Sequence, residues 1–263
     1  MVARPALTMP FFDAIRPSLH RLPLDRWPNL TNLNTLAYAT RIRNLANMPI
    51  RFVEADDGGL SAMAYETQIA RTGRVPTRQN WHDLFNALQW LAYPKTKSVI
   101  SASHATLLAR GGQTEARARS IPRDVLTMFD ESGIIVASED ESLLQLIRNF
   151  QWKTLFVARR EDVRNKMRFV LVGHGLMEKS LAPFVGLTAK AMLLRIDAQS
   201  SLDTSAAAWL GTAANLASAR NLSPLPLLGI PGWDPRNNDP SFYDNTDYFR
   251  PGYRLRPPAS ERP

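Results

Sequence analysis

Between Asn80 and Pro94 the apolar side chains Trp81, Leu84, Phe85, Leu88 and Leu91 recur at helical spacing, and this stretch constrains the fold more than any other. A helix over residues 80–92 with so wide an apolar stripe must be covered by other elements. Asn80 reads as its N-cap, with Asp83 at the third helical position able to bond back to the cap. Pro94 restarts the chain, and "KTKSVISASHATLLA" reads as a second helix ending at Gly111-Gly112. The two form an αα-hairpin or a bent pair.

The flanking segments supply the cover. "NLTNLNTLAYATRIRNLA" has helical spacing at Leu33, Leu36 and Leu45, with Thr31 or Asn32 as candidate caps. "IRFVEAD" alternates like a short strand and runs into the turn signal Asp57-Gly58-Gly59, and "SAMAYETQIARTG" is a helix stopped by Gly73. "DVLTMFDESGIIVAS" reads as two β-rich runs around Asp130-Glu131-Ser132-Gly133, hence a hairpin. "DESLLQLIRNFQWKTLFVAR" returns to helix. "KMRFVLVGHGLMEKSL" is a strand, a glycine turn and a helix start; "LTAKAMLLRID" is another strand and "TSAAAWLGTAANLA" a helix. The expected class is α+β, with many helices around a small mixed or antiparallel sheet. Residues 1–28, broken by prolines, read as an irregular arm, and 29–223 as one α+β domain. Residues 224–251, rich in Pro, Gly and Asn but also in Trp233, Phe242, Tyr243, Tyr248 and Phe249, read as an ordered extended wrap. Residues 252–263 read as a disordered basic tail.

With 263 residues, 44% of them hydrophobic and 21% charged, the chain has the balance of a globular protein with a substantial core. Its lack of cysteine excludes disulfides, thiolate nucleophiles and Cys-ligated zinc or iron–sulfur sites. No secretory signal and no membrane-length apolar run is found, so a cytoplasmic protein is expected. The net charge of +8 is compatible with an anionic small molecule, nucleic acid or an acidic partner. Its densest block is Arg110, Arg117, Arg119 and Arg123, read either as a solvated loop or as an anion-holding cluster. No zinc-finger, ribonucleoprotein or helix-turn-helix pattern supports a dedicated nucleic-acid module.

The ordered segments "NWHDLFN", "RDVLTMFDESG", "GHGLMEK", "LGIPGW" and "FYDNTDYFRP" together resemble domain of unknown function family 3025, a bacterial and mainly proteobacterial family. The likeness runs from about Pro49 to Pro251. It implies one folded unit and carries no activity with it.

Chemistry must therefore be sought residue by residue. Four histidines exist, His20, His82, His104 and His174. His20 lies in the arm without an evident partner. His174, between Gly173 and Gly175 at a strand-to-helix turn, leads: glycines there permit positive φ or close approach, and a helix N-terminus favours neutral imidazole. Glu178, four residues on, shares its helix face and can chelate a divalent cation with it or orient it. His82 and Asn86 likewise stand four apart, as a ligand pair or merely a hydrogen-bonded one. Asp130 and Glu131 are turn formers first, with Asp130 a candidate metal oxygen. Arg123 and Asp124 can simply pair with each other. His104 joins only if its helix lies alongside that of His82. The metal set so assembled is His82, His104, His174, Glu178 and Asp130, for a divalent ion. No HExxH, GxSxG, phosphate-loop or dinucleotide motif is present.

Two readings follow. In the first the chain is a hydrolase acting on an anionic small molecule, with His174, Glu178 and His82 as the catalytic group and Arg123, Lys179 and Asn86 holding substrate. In the second it is a non-enzymatic binding or scaffold protein, with a basic surface for nucleic acid or an acidic partner.

Overall fold

The computed structural model of the chain describes residues 7–23, 25–55, 62–110 and 120–252. The elements run α1 (Arg16–Leu19), α2 (Leu30–Thr40), β1 (Arg51–Val53), α3 (Ala62–Thr72), β2 (Arg74–Pro76), α4 (Trp81–Ala92), α5 (Pro94–Arg110), α6 (Ile121–Ser132), β3 (Gly133–Ser138), α7 (Glu141–Arg148), α8 (Arg160–Lys166), β4 (Met167–Leu171), α9 (His174–Lys179), β5 (Thr188–Arg195), α10 (Leu202–Leu210), α11 (Ala213–Leu216) and β6 (Ser223–Pro226). The fold is α+β.

The larger sheet is mixed, in the order β4-β3-β5-β6. Its centre, β3, runs antiparallel to β4 (Ile134↔Leu171) and parallel to β5 (Gly133↔Lys190), and β6 closes the far edge antiparallel to β5. Every residue of β3 is buried, as a strand covered on both faces must be. Alternation along it divides the molecule. Ile134 and Val136 enter one core with Phe11, Phe85, Leu144 and Phe156, while Ile135 and Ala137 enter a second with Val125, Phe129, Met192 and Leu210.

The hairpin expected around Asp130 is a helix–strand junction. Pro122 in the first turn and Val125, Leu126 and Phe129 at i, i+1 and i+4 continue as helix α6 up to Ser132, and Gly133 opens β3 directly. The same β-branched and apolar residues satisfy both periods over so short a window, and burial against α9 and β3 selects the helix. The cap of α2 is Asn29 rather than Thr31 or Asn32: its side chain accepts from Asn32 N, and Asn32 returns the bond to Asn29 N. That helix ends at Thr40, leaving Leu45 exposed outside it. The helix expected through "DESLLQLIRNFQWKTLFVAR" breaks at Phe150, whose φ of 57° is left-handed.

Both termini of the described chain feed the first core. Phe11, Phe12, Ile15 and Leu19 of the segment expected as an arm are fully buried. The segment expected as an extended wrap begins in β6 and continues through short 3-10 turns at Leu227–Gly229, Pro235–Asn238 and Pro240–Asp244. Tyr248 Oη donates to Leu187 O at 2.8 Å and accepts from Leu228 N at 3.0 Å, and Tyr243 Oη donates to Gly229 O at 2.8 Å. The turn signal Asp57-Gly58-Gly59, the pair Gly111-Gly112, Arg117, Arg119 and residues 253–263 lie outside the described residues, as does the side chain of Arg110. Among the described residues no helix is long and apolar enough to cross a membrane.

Candidate metal centre

Three helix ends meet where α9 packs on both α4 and α6. His82 lies in the first turn of α4, whose start is fixed by Asn80 Oδ1 accepting from Asp83 N at 2.8 Å. The Asp83 carboxylate does not return to the cap; it accepts from Arg78 N and Arg78 Nε at 2.7 and 3.0 Å. Asp130 and Glu131 occupy the last turn of α6, and His174 opens α9. The flanking glycines serve close approach, not positive φ. A Cβ at Gly173 would lie 2.5 Å from Gly133 N, so only glycine there lets α9 seat on the end of α6, and one at Gly175 would lie 2.3 Å from Glu131 Oε2 and displace that carboxylate.

The result is a convergent set. His174 Nε2 faces His82 Nε2 at 3.1 Å, and Glu131 Oε1 lies 3.5 Å from the former and 3.9 Å from the latter. Among the described residues, His82, Glu131 and His174 form a group whose ligand atoms all lie within 4.8 Å of one another. Ligands about 2.1 Å from a tetrahedral ion stand roughly 3.4 Å apart, so these spacings fit the edges of one coordination shell. Each imidazole is backed on its other nitrogen by a carboxylate. His82 Nδ1 donates to Glu178 Oε2 at 3.2 Å, and His174 Nδ1 faces Asp130 Oδ2 at 3.7 Å. The Glu178 contact fixes the His82 tautomer and raises the basicity of its inward nitrogen, whereas 3.7 Å is beyond a hydrogen bond and Asp130 acts on the His174 ring through its charge.

The site opens to solvent on one side only: the His82 and Glu131 side chains are 36% and 46% exposed, that of His174 6%. Burial pulls the His174 pKa down to about 4 despite the opposing Asp130 carboxylate, with Lys97 and His82 adding to the drop. The ring is therefore neutral at pH 7, the form that ligates. Burial, reinforced by Asp130, holds Glu131 above the usual carboxylate range against the pull of His82, Lys97 and Lys179.

Beneath lies a buried polar layer. Lys97 of α5, its side chain 4% exposed, donates to Asp130 Oδ1 at 2.5 Å. Burial would raise Asp130, but Lys97, His174 and His104 keep it below its ordinary value. Within electrostatic reach of Lys97 and Asp130 stands Glu66 of α3, bonded by Ser101, with its Oε2 buried and unpartnered. Burial first, then Asp130, lifts Glu66 to about 7. Neither Lys97 nor Glu66 belongs to any sequence motif.

The residues singled out from sequence divide accordingly. His82, His174 and Glu178 are together, Glu178 behind His82 rather than in the ligand group. Asp130 stands behind His174, tied to Lys97. His104 is buried on α5 and outside the group; burial, against Asp130 and with Arg123 and Lys97, takes its pKa to about 4. Asn86, one turn below His82, turns inward and donates to Tyr65 Oη at 2.8 Å. Arg123 lies in the first turn of α6, about 12 Å along the helix from Glu131 and close to His104. Lys179 is exposed at the end of α9, near enough to act on Glu131. His20 is exposed at the end of α1. Of the two adjacent carboxylates read from sequence as turn formers that could supply a metal oxygen, Asp130 is the one in the expected metal set; the structure places Glu131 instead in the candidate group, because the residues end a helix and not a hairpin.

Comparison with curated proteins and with solved structures finds no match. A family model described as "Protein of unknown function (DUF3025)" matches residues 50–253, which include every residue of the centre and of the layer beneath it. The chain belongs to that family.

Proposed function

We propose that the protein is a hydrolase that uses a divalent cation held by His82, His174 and Glu131, acting on an anionic small molecule. One observation carries this reading: two imidazoles present Nε2 to each other at 3.1 Å beside a carboxylate, each with a carboxylate behind it. Nothing in simple fold maintenance calls for that double arrangement. A two-histidine, one-carboxylate set leaves a coordination position open, as catalytic sites of this kind do.

A cation bound there would supply a Lewis acid and lower the pKa of a bound water toward neutrality. The chain's own residues do the rest. Burial keeps His174 free of its proton; Glu178 keeps the His82 proton on Nδ1 and turns its lone pair inward. Glu178, partly exposed behind His82, is the carboxylate left to take a proton from a water in the opening. Lys179 at the rim is the cation placed to hold an anionic group, a role that Arg123 and Asn86 do not share from their positions.

The test is titration calorimetry of the chelator-treated chain with Zn²⁺, then release of p-nitrophenol from its phosphate and acetate esters. One ion should bind, His174→Ala and Glu131→Gln should abolish binding while circular dichroism stays unchanged, and only the loaded chain should turn over. A folded wild-type chain that binds no ion would overturn the cation site. Binding that survives His174→Ala would place the ion elsewhere.

A further inference from the structure

A second feature lies on the other side of α4, largely before the family-matched residues. Helix α2, the loop after it and β1 enclose an open groove of about 1140 Å³, whose walls include Thr31, Thr35, Tyr38, Arg41, Arg43 and Arg51 and no carboxylate among the described residues. The groove is built, not incidental. Asn34 clamps its two walls together, donating through Nδ2 to Phe52 O at 2.8 Å and accepting from Phe52 N at 2.9 Å.

Its cations have no ion-pair partner among the described residues. Arg51 and Arg74 are register partners of the parallel pair β1–β2, both exposed, so two guanidinium groups stand side by side on one face. Like charges so placed repel each other. Arg41 ends α2 with φ 51°, a left-handed position where glycine or asparagine serves best. Arg43 donates to Asn47 O at 2.7 Å, and none of these four arginines forms an ion pair among the described residues. Beside them Tyr38, in the last turn of α2 and in the groove wall, is 87% exposed.

We propose that this groove binds single-stranded nucleic acid, Arg41, Arg43 and Arg51 of its wall and Arg74 beside Arg51 taking backbone phosphates, and Tyr38 stacking on a base. Guanidinium forks match phosphate oxygens two at a time, and a cationic groove with a projecting aromatic ring is what a flexible strand requires. The span from Thr31 to Arg41, about 15 Å along the helix axis, accommodates a short run of nucleotides. A concave wall does not fit a planar bilayer, and an acidic peptide gives the tyrosine no partner to stack on. The proposal does not depend on the cation site.

Fluorescence anisotropy of the full chain with fluorescein-labelled 15-mers of dT and of rU tests it. Four phosphate contacts on a single strand predict a log–log salt slope near −2.8, about 50-fold weaker binding at 200 than at 50 mM NaCl. Arg41→Gln/Arg51→Gln should halve the slope, leaving about a 7-fold dependence. Tyr38→Ala should weaken binding about 10-fold at every salt concentration with the slope unchanged. Removing equal charge outside the groove, in Arg21→Gln/Arg26→Gln, should change affinity by less than about 2-fold. The proposal is overturned if neither oligonucleotide binds, or if the two double variants weaken binding equally. Poly-glutamate displacing the oligonucleotide equally well from wild type and Tyr38→Ala would assign the groove to an acidic protein instead, and overturn it too.

Discussion

Lys97→Met removes the ammonium that pairs with Asp130 and lowers Glu66 while keeping the volume of the side chain. In the wild type Lys97 donates to Asp130 at 2.5 Å and both side chains are almost wholly buried. The substitution leaves Asp130 as an unpaired buried carboxylate, and breaking such a pair from one side costs about 3–5 kcal/mol. For a chain of this size that is a fall in Tm of roughly 6–15 °C, at about 2–3 °C per kcal/mol. The loss depends on pH with a sign that can be worked out. Without Lys97, the largest influence lowering Asp130 is gone and one of those lowering Glu66 with it, so both folded-state pKa values rise. A carboxyl with a raised folded pKa loses stability as pH rises through it, so the deficit should be larger at pH 8 than at pH 5.5. Thermal unfolding followed by circular dichroism at both pH values, with chelator present, measures it. Adding Asp130→Asn to Lys97→Met should restore more than half of the loss at pH 8, since the orphaned charge is then gone. A deficit below about 1 kcal/mol at pH 8, or one equal at the two pH values, would refute the reasoning that Lys97 neutralises this layer.

Four other outcomes follow from the same geometry. Gly175→Ala places a Cβ 2.3 Å from Glu131 Oε2 and must push that flexible carboxylate aside, so Zn²⁺ affinity by calorimetry should fall about 10–100-fold with Tm little changed; unchanged affinity would remove Glu131 from the site. Glu178→Gln, which loosens the hold on His82 Nδ1, should weaken the same affinity by a similar factor, whereas Lys179→Ala should leave it within a few-fold. His104, held at about 4 by burial against Asp130 and beside Arg123 and Lys97, is neutral when folded, whereas the unfolded ring takes a proton below about 6.5. The folded state thus binds fewer protons, and stability should drop by up to about 3 kcal/mol as pH falls from 6.5 to 4, a slope that His104→Leu flattens in thermal scans across that range. Glu66 runs the other way: raised to about 7, it costs stability as pH rises from 4.5 through 7, so Glu66→Gln should stabilise the chain at pH 8 by up to about 3 kcal/mol and have little effect at pH 4.

Local periodicity made much of the fold legible. The helix carrying His82, its Asn80 cap, the strand–turn–helix carrying His174 and the α+β class could all be read because each is set by contacts a few residues apart. The junction at Gly133 could not, since Val125 to Val136 satisfies a hairpin as well as a helix running into a strand, and only packing on α9 decides between them. That single junction moved Glu131 from a solvent-facing tip to the ligand group.

The residue types of the candidate cation site were thus legible in sequence alone, along with two of its three positions, because His82 and His174 each stand at a helix start that local rules locate. Which groups meet was decided by tertiary structure. The glycine contacts that seat α9 on α6, and the long-range pairing of β3 with β4, bring chain segments 43 and 92 residues apart within coordination reach, while α5 turns His104 into the layer below. Convergence of that kind depends on how buried surfaces fit one another across the whole core, and no short window of sequence encodes it.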